Sequence, residues 1–156
     1  MTSRAMGALY GAAAGAAGTV ALDTVTYLDM VLRARPASHT PETTVERLAE
    51  AAHTHVPGDG DRRENRTVAL GALTGIVAGV GMGALLGLAR AAGWRPPTVI
   101  AAAVAAVGAL AGTNGPMIAL KVTDPRTWST TDWVSDLVPH LAYAVVTRAA
   151  LERLDP

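Results

Sequence analysis

Thr67 to Ala89 reads TVALGALTGIVAGVGMGALLGLA and Thr98 to Leu120 reads TVIAAAVAAVGALAGTNGPMIAL; each runs for 23 residues without a charged side chain. At ~1.5 Å per residue, either stretch in helical form crosses the ~30 Å hydrocarbon core of a bilayer. Ala5 to Leu22 is a third uncharged run, of 18 residues, just long enough by the same rule. The competing reading is a soluble, alanine-rich helical bundle. Helices of soluble bundles keep a wet face, however, and these three segments have no charge with which to make one. The sequence therefore predicts an all-α integral membrane protein.

The remaining chain fits between these segments as one transmembrane domain, residues 1–156, with spans at about 5–33, 67–89, 98–120 and 133–151 and a polar loop at 36–66. Met1 to Leu22 has the outline of a secretory signal, with Arg4 before an apolar run. The run is rich in Ala and Gly rather than Leu, and its helical pattern continues to Arg33, which favours a retained first span. Pro36 is expected to end that span. Within the loop, Thr40-Pro41-Glu42 combines a capping hydroxyl, a first-turn proline and an acid. It opens a short amphipathic helix with Val45, Leu48, Ala49 and Ala52 on one face, predicted to lie along the membrane surface. Val56-Pro57-Gly58-Asp59-Gly60-Asp61 breaks it. Trp94, Trp128 and Trp133 suit the interfacial belt, and Ser129 with Asp132 forms a capping-box pattern. The last span is the least apolar: only Leu137 to Thr147 is uncharged, with Asp136 and Arg148 at its edges. Three spans and an amphipathic final helix is the alternative.

Loops one and three hold eight Lys and Arg residues, against five in the termini and loop two. The positive-inside rule places those two loops in the cytoplasm. The formal net charge of zero leaves no basic footprint for nucleic acid, and the absence of cysteine excludes disulfides, thiol catalysis and iron–sulfur clusters. The residue pattern calls for no cofactor and no metal. His39, His53 and His55 stand in the polar loop without the paired spacing of a zinc site. The glycine-rich Gly79-Val80-Gly81-Met82-Gly83 lacks the strand, lysine and hydroxyl of a phosphate loop.

The sharpest period lies in the second span, where Gly71, Gly75, Gly79, Gly83 and Gly87 recur every four residues; Gly7, Gly11 and Gly15 echo them in the first. Such a glycine zipper makes a smooth groove that a second backbone can enter closely. Packing of the first span on the second within one chain is one use of it, and homo-oligomerisation is the other.

With alternating helix directions, Asp23, Thr74, Asn114 and His140 fall at one depth, with Tyr27 and Tyr143 on the same faces as Asp23 and His140. Polar groups there are costly towards lipid and should point inward. Three uses stay open: hydrogen-bonded glue between helices, a route for protons or cations through Asp23, Asn114 and His140, and the lining of a small pocket. Pro116 is expected to kink or open the helix near Gly112 and free backbone carbonyls beside Asn114. Lipid chemistry with Asp23 and His140 as acid and base has no further motif behind it.

Asp132-Trp133-Val134-Ser135-Asp136-Leu137-Val138-Pro139-His140-Leu141-Ala142-Tyr143 resembles the last helix of small bacterial four-helix membrane proteins, the YagU-like group among them, with Ala144 where that pattern carries glycine. The resemblance covers about a quarter of the chain and implies a four-helix protein of the bacterial inner membrane. The expectation is thus a structural, accessory or interaction protein in the lipid bilayer, acting with a partner membrane protein or as a homo-oligomer; a small proton or cation channel is the alternative.

Overall fold

The computed structural model describes residues 3–155. Those residues fold as α1 (Arg4–Arg33), α2 (Thr40–Ala51), α3 (Asp61–Ala91), α4 (Thr98–Ala119) and α5 (Thr130–Leu154), with a 3-10 turn at Pro125–Thr127. Three of these helices, α1, α3 and α4, are long and apolar enough to cross a membrane. At 25 residues α5 has the length, but Asp132, Asp136, Arg148, Glu152 and Arg153 keep it out of that group.

Local chemistry accounts for both ends of α1 and the start of α5. The Ser3 hydroxyl accepts from the Met6 amide at 3.2 Å to start α1, and Ala34 closes it in the left-handed region at φ 50°. In α5 the capping box is complete: the Asp132 amide donates to Ser129 Oγ at 3.2 Å, and the Ser129 amide to Asp132 Oδ2 at 2.9 Å. A cap of this kind contributes about 1 kcal/mol. The Ser129 hydroxyl and amide hold the Asp132 carboxyl below the usual carboxylate range, so it stays an acceptor at neutral pH.

The long helices pack antiparallel. α1 lies against α3 and α5, and α4 touches the same two. Close approach of backbones does the work that large side chains do in soluble cores: the buried apolar residues are mainly alanines, and Tyr143 and Thr147 are the largest fully buried side chains. The outer surface is the reverse of a soluble protein's. Leu9, Val20, Val77, Val99, Val107 and Val145, spread over all four long helices, are each at least 61% exposed. Apolar surface on this scale marks contact with lipid or protein.

The structure adds detail at four helix ends and faces. α1 ends at Arg33, where the sequence puts it, but the residue that stops it is Ala34 in the left-handed region and not Pro36 two residues further on. Thr40 is the first helical residue of α2 and not its cap; the Thr40 amide instead donates to Ser38 Oγ at 3.2 Å. α3 begins at Asp61, six residues before the expected span, and Asp61 and Glu64 in its first turn favour the positive helix end. Finally, α2 runs back along the first turns of α3, with Pro41 against Gly71 and Arg63 donating to Glu46 at 3.0 Å, so Thr44 and Val45 are covered by protein while Leu48 stays 44% exposed.

Candidate functional site

The glycines of α1 and α3 form one antiparallel seam. A Cβ built on Gly15 would lie 2.5 Å from the Gly79 carbonyl oxygen and 3.0 Å from Gly83 Cα; one on Gly83 would lie 2.5 Å from Gly15 Cα. Gly7 meets the Gly87 backbone and the Ala91 Cβ, and Gly11 meets the backbones of Gly83 and Gly87. The five glycines of the four-residue period in α3 are not equivalent, however. Gly79 faces Thr19 and Tyr143, Gly71 receives Pro41 of α2, and Gly75 meets nothing within 4 Å among the described residues. Gly18, outside the four-residue period, is also in the packing: the Tyr143 ring and Thr147 stand where its Cβ would be.

Polar side chains join α4 to α5. His140 is 6% exposed, and its Nδ1 lies 2.7 Å from the backbone carbonyl oxygen of Asp136. A carbonyl only accepts, so Nδ1 carries a proton and donates to it. Nε2 lies 3.3 Å from Thr113 Oγ1, whose hydroxyl also reaches the Ala109 carbonyl at 3.0 Å. Neutral imidazole is satisfied if Thr113 donates to Nε2; the imidazolium is satisfied if Nε2–H donates to Thr113 and Thr113 donates to Ala109. Asn114 Nδ2 donates to Asp136 Oδ2 at 2.8 Å, and Asp136 Oδ1 stands 3.6 Å from His140 Nδ1. Asn114, Thr113, Asp136 and His140 therefore form one connected network.

The other expected members lie elsewhere. The contact of Gly18 with Tyr143 and Thr147, and of Gly15 with Gly79, puts Asp23 level with His140 and with Thr74 to Gly75. Level does not mean joined. His140 turns to α4, and Asp23 has no hydrogen bond or ion pair among the described residues. Thr74 Oγ1 donates to its own helix at the Gly71 carbonyl, 2.7 Å away. The Tyr143 hydroxyl donates to the Gly79 carbonyl at 2.6 Å, tying α5 to α3, and Tyr27 is 61% exposed. Pro116 does not open α4, which continues to Ala119. Asp136 stands one turn before His140 on the same face of α5, as the sequence spacing has it, whereas Thr113 is a member signalled only by its place beside Asn114.

Both ends of the packed helices are ionic. Where α1 ends and α5 begins, Arg33 Nε and Arg35 Nε each donate to Asp29 at 2.6 Å, and Arg33 Nη2 also reaches Ser135 Oγ at 2.6 Å. Beside them is a groove of about 270 Å³ lined by Val25, Arg33, Thr131, Val134 and Val138. At the opposite end Asp155, 4% exposed, is clamped by Arg90: Nε donates to its carboxylate at 3.1 Å and Nη2 to its carbonyl at 2.6 Å. Arg95 adds a bond to the same carboxylate at 3.2 Å. A cavity of about 40 Å³ adjoins Arg90, Trp94 and Arg148, about enough for one or two water molecules.

Among the described residues no group of three His, Asp or Glu side chains is placed to hold a metal ion. No protein-family model, curated protein or solved structure matches the chain.

Proposed function

We propose that the chain is a four-helix, multi-pass protein of the bacterial inner membrane, held together by a glycine zipper, that acts as a structural or accessory interaction partner of other membrane components. The carrying observation is the connected network of Asn114, Thr113, Asp136 and His140, in which each of these four side chains has a partner on the neighbouring helix or its own. Groups so satisfied act as glue between α4 and α5, with about 0.6 kcal/mol per bond and seldom above ~2. In this arrangement α5 crosses as the fourth span, its Asp136 and Arg148 facing protein. The resemblance of its sequence to the last helix of YagU-like proteins favours the same architecture. Six of the eight expected zipper glycines face one another within one chain, which favours internal packing over their use in homo-oligomers.

Proton and cation flux into liposomes containing the purified protein separates glue from a conduction path. The expected result is no flux above empty liposomes, for wild type and Asn114→Ala alike. Asn114→Ala should lower the thermal midpoint in detergent, by an amount equivalent to about 0.6–2 kcal/mol. Wild-type flux that Asp23→Asn abolishes, in a variant that still folds, would instead establish a channel through the polar layer.

A further inference from the structure

The α1–α3 seam closes tightly from Gly7·Gly87 to Thr19·Gly79 and then opens. One turn further along the same two faces stand Asp23 on α1 and Gly75 on α3. A Cβ at Gly75 would meet nothing within 4 Å among the described residues, whereas one at Gly79 collides with Thr19. Beyond the gap, Pro41 of α2 covers Gly71 of α3. The result is a lateral window at mid-depth. One wall is glycine; the other carries a carboxylate that is partly exposed and, among the described residues, has no hydrogen bond or ion pair.

A carboxylate in this position is expensive unless something donates to it. The chain itself offers no cation at that level. Thr67 to Ala89 and Thr98 to Leu120 are uncharged, and the nearest basic residues along α1, α3 and α5 are Arg33, Arg66 and Arg148, each about 10 Å or more away along the helix axis at ~1.5 Å per residue. His140, the one basic side chain at the right depth, is committed to Thr113 and Asp136. A second copy of the chain brings the same set of side chains at the same depths, so it supplies no cation either.

We infer that the window receives a transmembrane helix of a different protein, one carrying a lysine or arginine near the middle of its span. Its basic group pairs with Asp23, and its backbone approaches α3 where Gly75 leaves room. This deepens the interaction reading above and rests on it: Asp23 becomes the recognition residue, and charge complementarity within the bilayer selects the partner.

The absence of cysteine makes the test clean. Gly75→Cys, for which there is open space, is reconstituted in liposomes with a synthetic Leu-Ala transmembrane helix holding one cysteine and one central lysine, or with the same helix holding leucine in place of lysine. The expected result is disulfide capture of the lysine helix about three- to tenfold above the leucine helix, a ratio set by one intramembrane polar pairing. The preference should disappear in Asp23→Asn, persist in Asp23→Glu, and be absent when the cysteine is placed at Val107 on the exposed face of α4. Equal capture of both peptides, or a preference that survives Asp23→Asn, overturns the inference. So does self-capture of Gly75→Cys that neither peptide reduces, which assigns the window to a second copy. Should Asp23→Asn not fold, the Asp23→Glu and Val107 arms still decide. Liposome flux is a separate readout, so a failed window is distinguishable from a failed accessory role.

Discussion

Gly83→Leu is expected to leave little folded protein, whereas Gly75→Leu should fold at least as well as the wild type. The two positions are alike in sequence, both glycines of the same four-residue period in an uncharged helix. They differ in what faces them. A side chain at Gly83 enters the space held by Gly15 Cα and the Gly11 carbonyl, and backbone cannot rotate aside as a side chain can. The only relief is separation of α1 from α3, which forfeits the dispersion contacts along the whole seam. Overpacking in ordinary cores costs about 1–3 kcal/mol, and a backbone collision belongs at or above the upper end of that range. At Gly75 the space is open, and loss of glycine from a helix interior gains up to about 1 kcal/mol in propensity. Thermal unfolding followed by circular dichroism in detergent, with size-exclusion chromatography as a check on monodispersity, measures both. Gly79→Leu lies between them, since the atoms it meets belong to the side chains of Thr19 and Tyr143, which can shift.

Arg90→Ala should destabilise, by no more than the about 3–5 kcal/mol that stranding one member of a buried ion pair costs. Arg90 supplies bonds to both the carboxylate and the backbone carbonyl of Asp155, whose side chain is 5% exposed, and it joins the end of α3 to the residue that follows α5. Arg95, its side chain 45% exposed, remains bonded to the carboxylate in this variant and offsets part of the loss. The double variant Arg90→Ala/Asp155→Asn removes the stranded charge and is expected to recover part of the loss. Urea or thermal unfolding of the three proteins side by side checks the order: wild type most stable, the double variant next, the single variant last.

How far these features could be read in advance depends on their range. The uncharged stretches and the first-turn acids act locally, so the long helices, the short helix near Thr40 and the Ser129 capping box are legible from the chain. The glycine period is legible too, but not the choice among its members. That choice follows from the crossing of α1 over α3, which brings Gly83 into contact and leaves Gly75 open. The common depth of Asp23, Thr74 and His140 comes from helix length and direction. Their partners come from rotation about each helix axis, which turns His140 towards Thr113 and away from Asp23. The clamp on Asp155 joins residues 65 apart in sequence through side chains that read as ordinary polar ends, and no spacing announces it.

Four membrane crossings remain the central claim, and labelling of single cysteines in intact inverted and right-side-out membrane vesicles tests it most directly. Cysteines placed at Ala37, Ala92, Arg126 and Arg153 report the loop between α1 and α2, the α3–α4 turn, the α4–α5 turn and the end of α5. A membrane-impermeant maleimide should reach Ala37→Cys and Arg126→Cys from the cytoplasmic side, and Ala92→Cys and Arg153→Cys only from the other. Labelling of Arg153→Cys from the same side as Arg126→Cys would contradict a crossing by α5, and labelling of all four from one side would contradict the membrane bundle itself.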